Sequence, residues 1–251
     1  MKNVVRSFGI FSKAAPHFYG KPMLVLLGAP GVGKGTYGKR LSKDWNMPIF
    51  STGEYLRSLL KTDKTELGNQ IRELVQAGKL VGDDIIMKIM ERRLFKDEDK
   101  KAKGIILDGF PRTVKQAEML EKLGKVRAAM NFFLRDDILI EKLAGRRECD
   151  KCHIPYNVAT IKRDGYDMTP LLPKKDVNFC DACGGKLIQR EDDTEQVVRD
   201  RLSLYKQKTA PLEEFYKKKG VFFEFEPKRG VTDYPDIKKM FDAFLKAQGV
   251  F

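Results

Sequence analysis

Residues 23–36 read Met23-Leu24-Val25-Leu26-Leu27-Gly28-Ala29-Pro30-Gly31-Val32-Gly33-Lys34-Gly35-Thr36, and this stretch decides the fold. The apolar run Met23 to Leu27 predicts a buried strand, and the pattern from Lys34 to Trp45 predicts a helix. A glycine-rich turn between strand and helix is the setting in which a P-loop cradles phosphate. Glycines at 31, 33 and 35 let backbone N–H groups converge on phosphate oxygens, while Lys34 and the helix N-terminus supply positive field. The chain is therefore expected to handle a nucleoside triphosphate. Gly35 stands between Lys34 and Thr36, whereas the general motif places its hydroxyl residue directly after the lysine.

Working outward, 251 residues suit one large α/β domain with inserted lobes. No apolar run approaches the ~20 residues of a membrane span, so a soluble chain with no membrane partner is expected. The net charge of +13 allows two accounts, a nucleic-acid footprint or a polyphosphate pocket with surplus solvated lysine. The clusters Lys96 to Lys103 and Lys217 to Lys219 lack the interleaved aromatics of a stacking platform, so no nucleic-acid partner is expected. Met1 to Pro22 contain four basic residues and no acid. Such a start suits a mitochondrial transit segment or, equally, a basic tail on a cytoplasmic enzyme.

Further along, the apolar period alternates as in an α/β fold. Ile49–Ser51 and Gly104–Asp108 predict strands, and the helical run after Thr52 carries Leu56, Leu59 and Leu60. A second helix with Leu67, Ile71, Leu74 and Val75 is expected to stop at Gly78. Asp83 is expected to cap the helix holding Ile85 to Leu94, and Asp136 the helix running to Ala144. Thr113 with Gln116 reads as a capping box. A strand over Ala128–Leu134, helical patterning from Thr194 to Gly220 with a pause at Pro211, a strand over Val221–Phe225 and a helix over Asp233–Lys246 complete the pattern. Because ligands sit at the C-terminal ends of parallel strands, Gly28, Thr52 and Asp108 are expected to face one crevice.

Residues 145–190 break the rhythm and read as an inserted lobe. Its Cys149-x2-Cys152 and Cys180-x2-Cys183 use all four cysteines and have the spacing of a closed structural zinc site; two disulfides are the alternative. His153 is a candidate substitute ligand or a loop-surface residue. Arg57, Arg112, Arg146, Arg147, Arg190 and Arg201 each lie beside a turn signal or a lobe boundary, and guanidinium forks suit phosphate in a dry site.

The P-loop stretch, Ser51 to Arg57, Leu107 to Thr113 with Gln116, Gly145-Arg146-Arg147, and Gln189 to Asp193 with Arg201 together resemble the adenylate kinase family. The resemblance runs from about residue 22 to the C-terminus. It implies a P-loop three-layer α/β core with a parallel sheet, built from 22–50, 83–144 and 191–251 behind a 1–21 extension. It further implies an AMP-binding helical lobe at 51–82 and a small zinc-knuckle lid at 145–190. The implied reaction is MgATP + AMP ⇌ 2 ADP in a monomer. The donor site would use Gly31, Val32, Gly33, Lys34, Gly35, Thr36, Lys142, Arg146, Tyr156 and Arg229. AMP would meet Thr52, Arg57, Lys79, Leu80, Val81, Gly109, Phe110, Pro111, Arg112, Gln116, Arg190 and Arg201. Lys34, Arg112, Arg146, Arg190 and Arg201 would neutralise the transferring phosphoryl, and Asp108 would orient the water shell of Mg2+. Asp192 and Asp193 would steer the lid, and Cys149, Cys152, Cys180 and Cys183 would hold structural Zn2+.

Two departures from the family pattern stand out. Lys142 occupies a position where the family usually has an arginine that stacks on the donor base, which opens the donor to GTP as an alternative to ATP. The 27 residues between Cys152 and Cys180 exceed the usual length, and the excess reads as a solvated loop or a partner contact. The readings from other classes are a P-loop ATPase switch and a zinc-ribbon nucleic-acid binder.

Overall fold

The computed structural model describes residues 21–62, 66–77, 79–94 and 102–251. The N-terminal segment before Lys21, Gly78, Lys96, Lys100 and Lys101 lie outside the described residues, as do the side chains of Leu59, Leu60, Leu67 and Leu94.

Strand β1 (Met23–Gly28) is buried at every position, as its unbroken apolar run requires. It sits at the centre of a five-stranded parallel sheet of order β10-β4-β1-β3-β2, with β2 Ile49–Ser51, β3 Ile105–Asp108, β4 Val126–Phe132 and β10 Phe222–Phe225. Alternate β1 residues feed two cores. Met23, Val25 and Leu27 pack on one face with Leu56, Ile71, Met90, Leu120 and Tyr216. Leu24 and Leu26 pack on the other with Leu41, Ile138, Val198 and Phe241. Helices on both faces of a parallel sheet make the expected three layers.

The helices follow the sequence pattern closely. They are α1 Lys34–Trp45, α2 Thr52–Thr62, α3 Glu66–Gln76, α4 Asp83–Leu94, α5 Val114–Leu123, α6 Asp136–Ala144, α7 Glu195–Leu204, α8 Pro211–Lys218 and α9 Tyr234–Ala247. Three details correct the expectation. Asp83 and Asp136 lie inside the first turns of α4 and α6, where they meet the positive end of the helix dipole instead of capping from outside. Thr113 Oγ1 does accept from Gln116 N, but Gln116 Oε1 accepts from Arg112 N, one residue short of the reciprocal bond of a capping box. The pause before Pro211 is a π-helical turn, Tyr205–Thr209, with no break in the chain's helical course.

Residues 145–190 form two separate small sheets. One is antiparallel, order β6-β5-β9, from Arg146–Cys149 (β5), Pro155–Asn157 (β6) and Leu187–Ile188 (β9). The other is a hairpin, β7 Ile161–Arg163 with β8 Tyr166–Met168, turning at Asp164-Gly165 with positive φ at both residues. The hairpin lies within the long stretch between the two cysteine pairs. It is no solvated loop: Ile161, Tyr166 and Met168 are buried in the core cluster of α6, α7 and α9.

Candidate active site

The loop between β1 and α1 has the geometry that phosphate binding needs. Gly33 caps α1 at φ 110° with no side-chain hydrogen bond, so the first N–H groups of the helix have no side-chain acceptor at the cap. Gly31, at φ 88°, could not carry a side chain: a Cβ there would lie 2.6 Å from Leu143 Cγ. Lys34 Nζ donates to the carbonyls of Gly28 (2.5 Å) and Ala29 (3.0 Å), which curls its ammonium back over the loop. Burial lowers the Lys34 ammonium to about 8 against the opposing pull of Asp108, and Arg112, Arg201 and Arg146 lower it further.

Asp108, at the C-terminal end of β3, is 8% exposed and faces this loop. Its carboxylate makes no side-chain hydrogen bond or ion pair among the described residues, and a Cβ on Gly35 would stand 4.0 Å from its Oδ2. One lone carboxylate beside a phosphate cradle fits Mg2+, which keeps most of its waters and takes phosphate oxygens as further ligands.

One open-mouthed cavity runs from the loop across the ends of the parallel strands. Gly31, Gly33, Lys34, Gly35, Thr36, Lys142, Arg146 and Tyr156 from the expected donor set line it, as do Arg57, Leu80, Gly109, Pro111, Arg112, Arg190 and Arg201. A second, smaller cavity adjoins it, and Thr52, Arg57, Lys79, Leu80, Val81, Gly109, Phe110, Arg112, Gln116 and Arg201 line that one. Arg57, Arg112 and Arg201 border both. Gly28 and Asp108 border the larger cavity and Thr52 the smaller, so the three strand ends converge as expected. Thr52 Oγ1 donates to the carbonyl of Gly109 at 2.8 Å. Gln116 is buried and held by Nε2 donation to Asp83 Oδ1 at 2.8 Å.

The cations around the cavities are only partly neutralised. Arg146 pairs with Asp193, Arg190 with Glu148, and Arg201 with Asp192 at 2.8 Å. Burial lowers the Arg201 guanidinium to about 10, and burial lowers Arg57 and Arg112 from their ordinary value too. Neither Arg57 nor Arg112 has an ion pair among the described residues. Gathering like charges in a desolvated cleft is unfavourable without an anion, so the site is built for one carrying several charges. Burial favours protonation of Glu148, but Arg190 and then Arg57 hold it below the usual carboxylate range. Sequence reading missed Glu148; its position in β5, just before Cys149, carries no motif of its own.

Three expectations need correction or refinement. Arg229 turns away from the cavity, its guanidinium held at 2.6 Å by both Asp233 and Asp236; the adjacent Gly230 and Val231 form the cavity wall instead. Tyr156 lies at the wall, but its hydroxyl donates to Cys180 Sγ at 3.3 Å, which ties it to the cysteine cluster. Val32, between the two glycines, is fully buried in the core and does not line the cavity.

The four cysteine sulfurs lie within 4.8 Å of one another, Cys149 with Cys183 at 3.4 Å and Cys152 with Cys180 at 3.5 Å. All four are free thiols, and the set fits a closed tetrahedral thiolate centre. Burial raises the Cys180 thiol, but donation from Tyr156 and from nearby backbone N–H groups holds it below its ordinary value. His153 Nδ1 lies 2.9 Å from Glu148 Oε1, which places the ring outside the cysteine cluster.

Two contacts join the lobes across the cleft. Lys39 Nζ on α1 meets the carbonyl of His153 at 3.3 Å and the Glu54 carboxylate of α2 at 2.9 Å. Gln76 Nε2 at the end of α3 donates to Glu191 Oε2 at 2.8 Å.

Comparison with known proteins bears directly on this geometry. The family model described as "Adenylate kinase" matches residues 26–221, well over half of the chain. "Probable adenylate kinase 6, chloroplastic" of Arabidopsis thaliana is 46% identical over 215 residues, covering 83% of this chain and 70% of that protein. "Adenylate kinase" of Fervidobacterium nodosum is 40% identical over 219 residues, 85% of this chain and 94% of its own. "GTP:AMP phosphotransferase" of Plasmodium falciparum is 39% identical over 217 residues, 85% and 93% respectively.

Proposed function

Since this chain belongs to the adenylate kinase family, we propose that it transfers the γ-phosphoryl of MgATP to AMP, reversibly, giving two ADP. The observation that carries the reading is the pair of adjoining cavities with Arg57, Arg112 and Arg201 bordering both. In this reading the donor triphosphate lies on the loop amides and Lys34, with Arg146 beside it. AMP occupies the smaller cavity, its phosphate on Arg57 and Arg112 and its nucleoside against Thr52, Lys79, Leu80, Val81 and Gln116. An AMP phosphate oxygen then attacks the donor γ-phosphorus in line, the bond from γ-phosphorus to the bridging oxygen breaks, and ADP leaves from each side. No side chain becomes a nucleophile, so the residues contribute positioning and charge. Arg112, Arg146, Arg190 and Arg201 spread the charge of the transferring group, and their present carboxylate partners, Asp192, Asp193 and Glu148, hold the forks in place. Mg2+ held through water at Asp108 would supply further neutralisation of the phosphates. With the 145–190 lobe seated over the cleft, water is excluded and idle hydrolysis is suppressed.

The test is ADP formation from MgATP with and without AMP: turnover that needs AMP is expected, and ATP hydrolysis indifferent to AMP would overturn the reading. ATP is the primary donor in this proposal. The relative named for GTP:AMP transfer and the lysine at 142 keep GTP as the second candidate, which initial rates with the two donors would rank. We also assign structural Zn2+ to the four cysteines, to be checked by metal stoichiometry, and a monomeric working state, since one chain builds both cavities. Two plant relatives carry the word chloroplastic in their names, which favours an organelle; they give no support to a mitochondrion specifically.

A further inference from the structure

Glu148 joins the cysteine turn to the cleft. It precedes Cys149 on β5, is 6% exposed and lines neither cavity, whereas its partner Arg190 stands in the wall of the larger one. Glu148 Oε2 accepts from Arg190 Nε at 2.7 Å and from Nη2 as well, so the carboxylate grips one edge of the guanidinium from outside the cavity. Nη1 of Arg190 has no protein acceptor among the described residues and is left for a ligand. The other Glu148 oxygen, Oε1, lies 2.9 Å from His153 Nδ1. An ionised carboxylate only accepts, so Nδ1 carries the hydrogen of that bond. His153 is fixed in turn: its N donates to the carbonyl of Cys149 at 3.1 Å, its φ is 56°, and its own carbonyl accepts from Lys39 Nζ of α1 at 3.3 Å. Lys39, His153, Glu148 and Arg190 thus form one chain of contacts from the phosphate-loop helix to the cavity. A carboxylate tied at both oxygens cannot swing, and so fixes the plane of the guanidinium it grips.

Resting on the phosphoryl-transfer reading above, we propose that Glu148 and His153 are positioning residues for phosphoryl transfer, which together aim Arg190 at the transferring group. Neither touches a nucleotide; both act through Arg190. His153 is then neither a ligand of the cysteine cluster nor an idle loop residue, but the brace that orients Glu148. Charge matters here as well as shape. Glutamine at 148 would keep one acceptor oxygen and lose the negative charge, leaving the guanidinium a weaker partner and a looser aim. The loop amides and Lys34 seat the donor without this chain of contacts, so its loss is expected to slow transfer while the hold on ATP stays the same.

The experiment measures single-turnover transfer from MgATP at saturating AMP, together with KM for ATP and metal content, in the full-length protein. Glu148→Gln should slow transfer about tenfold and leave KM for ATP within about twofold of the parent. His153→Gly should slow it about fivefold with metal content unchanged. His153 is half-buried and its positive φ suits glycine, so this second variant tests the proposal without disturbing a buried ion pair. In an Arg190→Met background neither change should slow transfer further, because both act through the group that is gone. Losses that simply add to that of Arg190→Met would overturn the proposal, as would transfer within about twofold of the parent in both single variants. Loss of metal from His153→Gly would make the ring a ligand and overturn its part as a brace. Absence of AMP-dependent turnover in the parent would instead sink the kinase reading itself.

Discussion

Lys34 is held in an uncomfortable place. Its ammonium is buried, satisfied by two loop carbonyls, and faces Asp108, Arg112, Arg146 and Arg201. Lys34→Met should leave the chain folded yet lower kcat by at least about a hundredfold, because a preorganised charge at the transferring group has no substitute in the site. Single-turnover rates with ATP and AMP check this. The lowered value also sets opposite pH trends for activity and stability. Above about 8 the free enzyme loses the Lys34 proton, so kcat/KM for the donor should fall as pH rises from 8 to 10. Between 8 and the ordinary 10.5 the unfolded chain binds the proton that the folded chain has released, so apo stability should rise with pH over that window. Burial pushes Lys142 the same way and adds to both trends. Denaturant midpoints and donor kinetics measured together would expose a wrong sign in either.

At the scale of elements, the cysteine sheet and the hairpin have different supports and should fail separately. The sheet of β5, β6 and β9 has a small cluster of its own, Cys149, Tyr156 and Cys180, and little apolar surface besides. Cys180→Ser, or removal of metal by a chelator, should therefore lower the melting temperature by several degrees while leaving turnover at low temperature within about threefold. Equal loss of both would give the metal a wider role. The sequence displayed the parallel core plainly because continuous apolar strands and 3.6-period helices are local signals, and β1 and α1 fall where the pattern put them. The hairpin was legible in principle: Asp164-Gly165 is a strong two-residue turn signal, flanked by Ile161, Tyr166 and Met168 at strand alternation. It was obscured by the charges that share those strands, which face solvent while the apolar residues reach a core formed by distant segments. Arg229 misled for a related reason. A turn can present backbone to a cavity while its charged side chain pairs outward, and no residue type announces which will occur.

The whole molecule is organised by β1, whose two faces feed separate cores that meet only through the sheet. One core carries α2 to α5 and with them the smaller cavity, the other carries α1, α6 and the hairpin, and the ends of the strands lie between. The residues that surround the cavities come from segments as far apart as Gly31 and Arg201, so the pairing of Arg146 with Asp193 or Arg190 with Glu148 was beyond any local pattern. Lys39 matters most at this scale. A single ammonium on the phosphate-loop helix touches the carbonyl beside the cysteine sheet and a carboxylate on the helix that opens the acceptor side. On the proposed reading, a ligand that holds either lobe against α1 would strengthen one of these two contacts and by linkage favour the other. Each substrate is then expected to favour binding of the other: saturating donor should lower KM for AMP. In Lys39→Ala that synergy should shrink severalfold, with the individual affinities of the isolated ligands nearly intact.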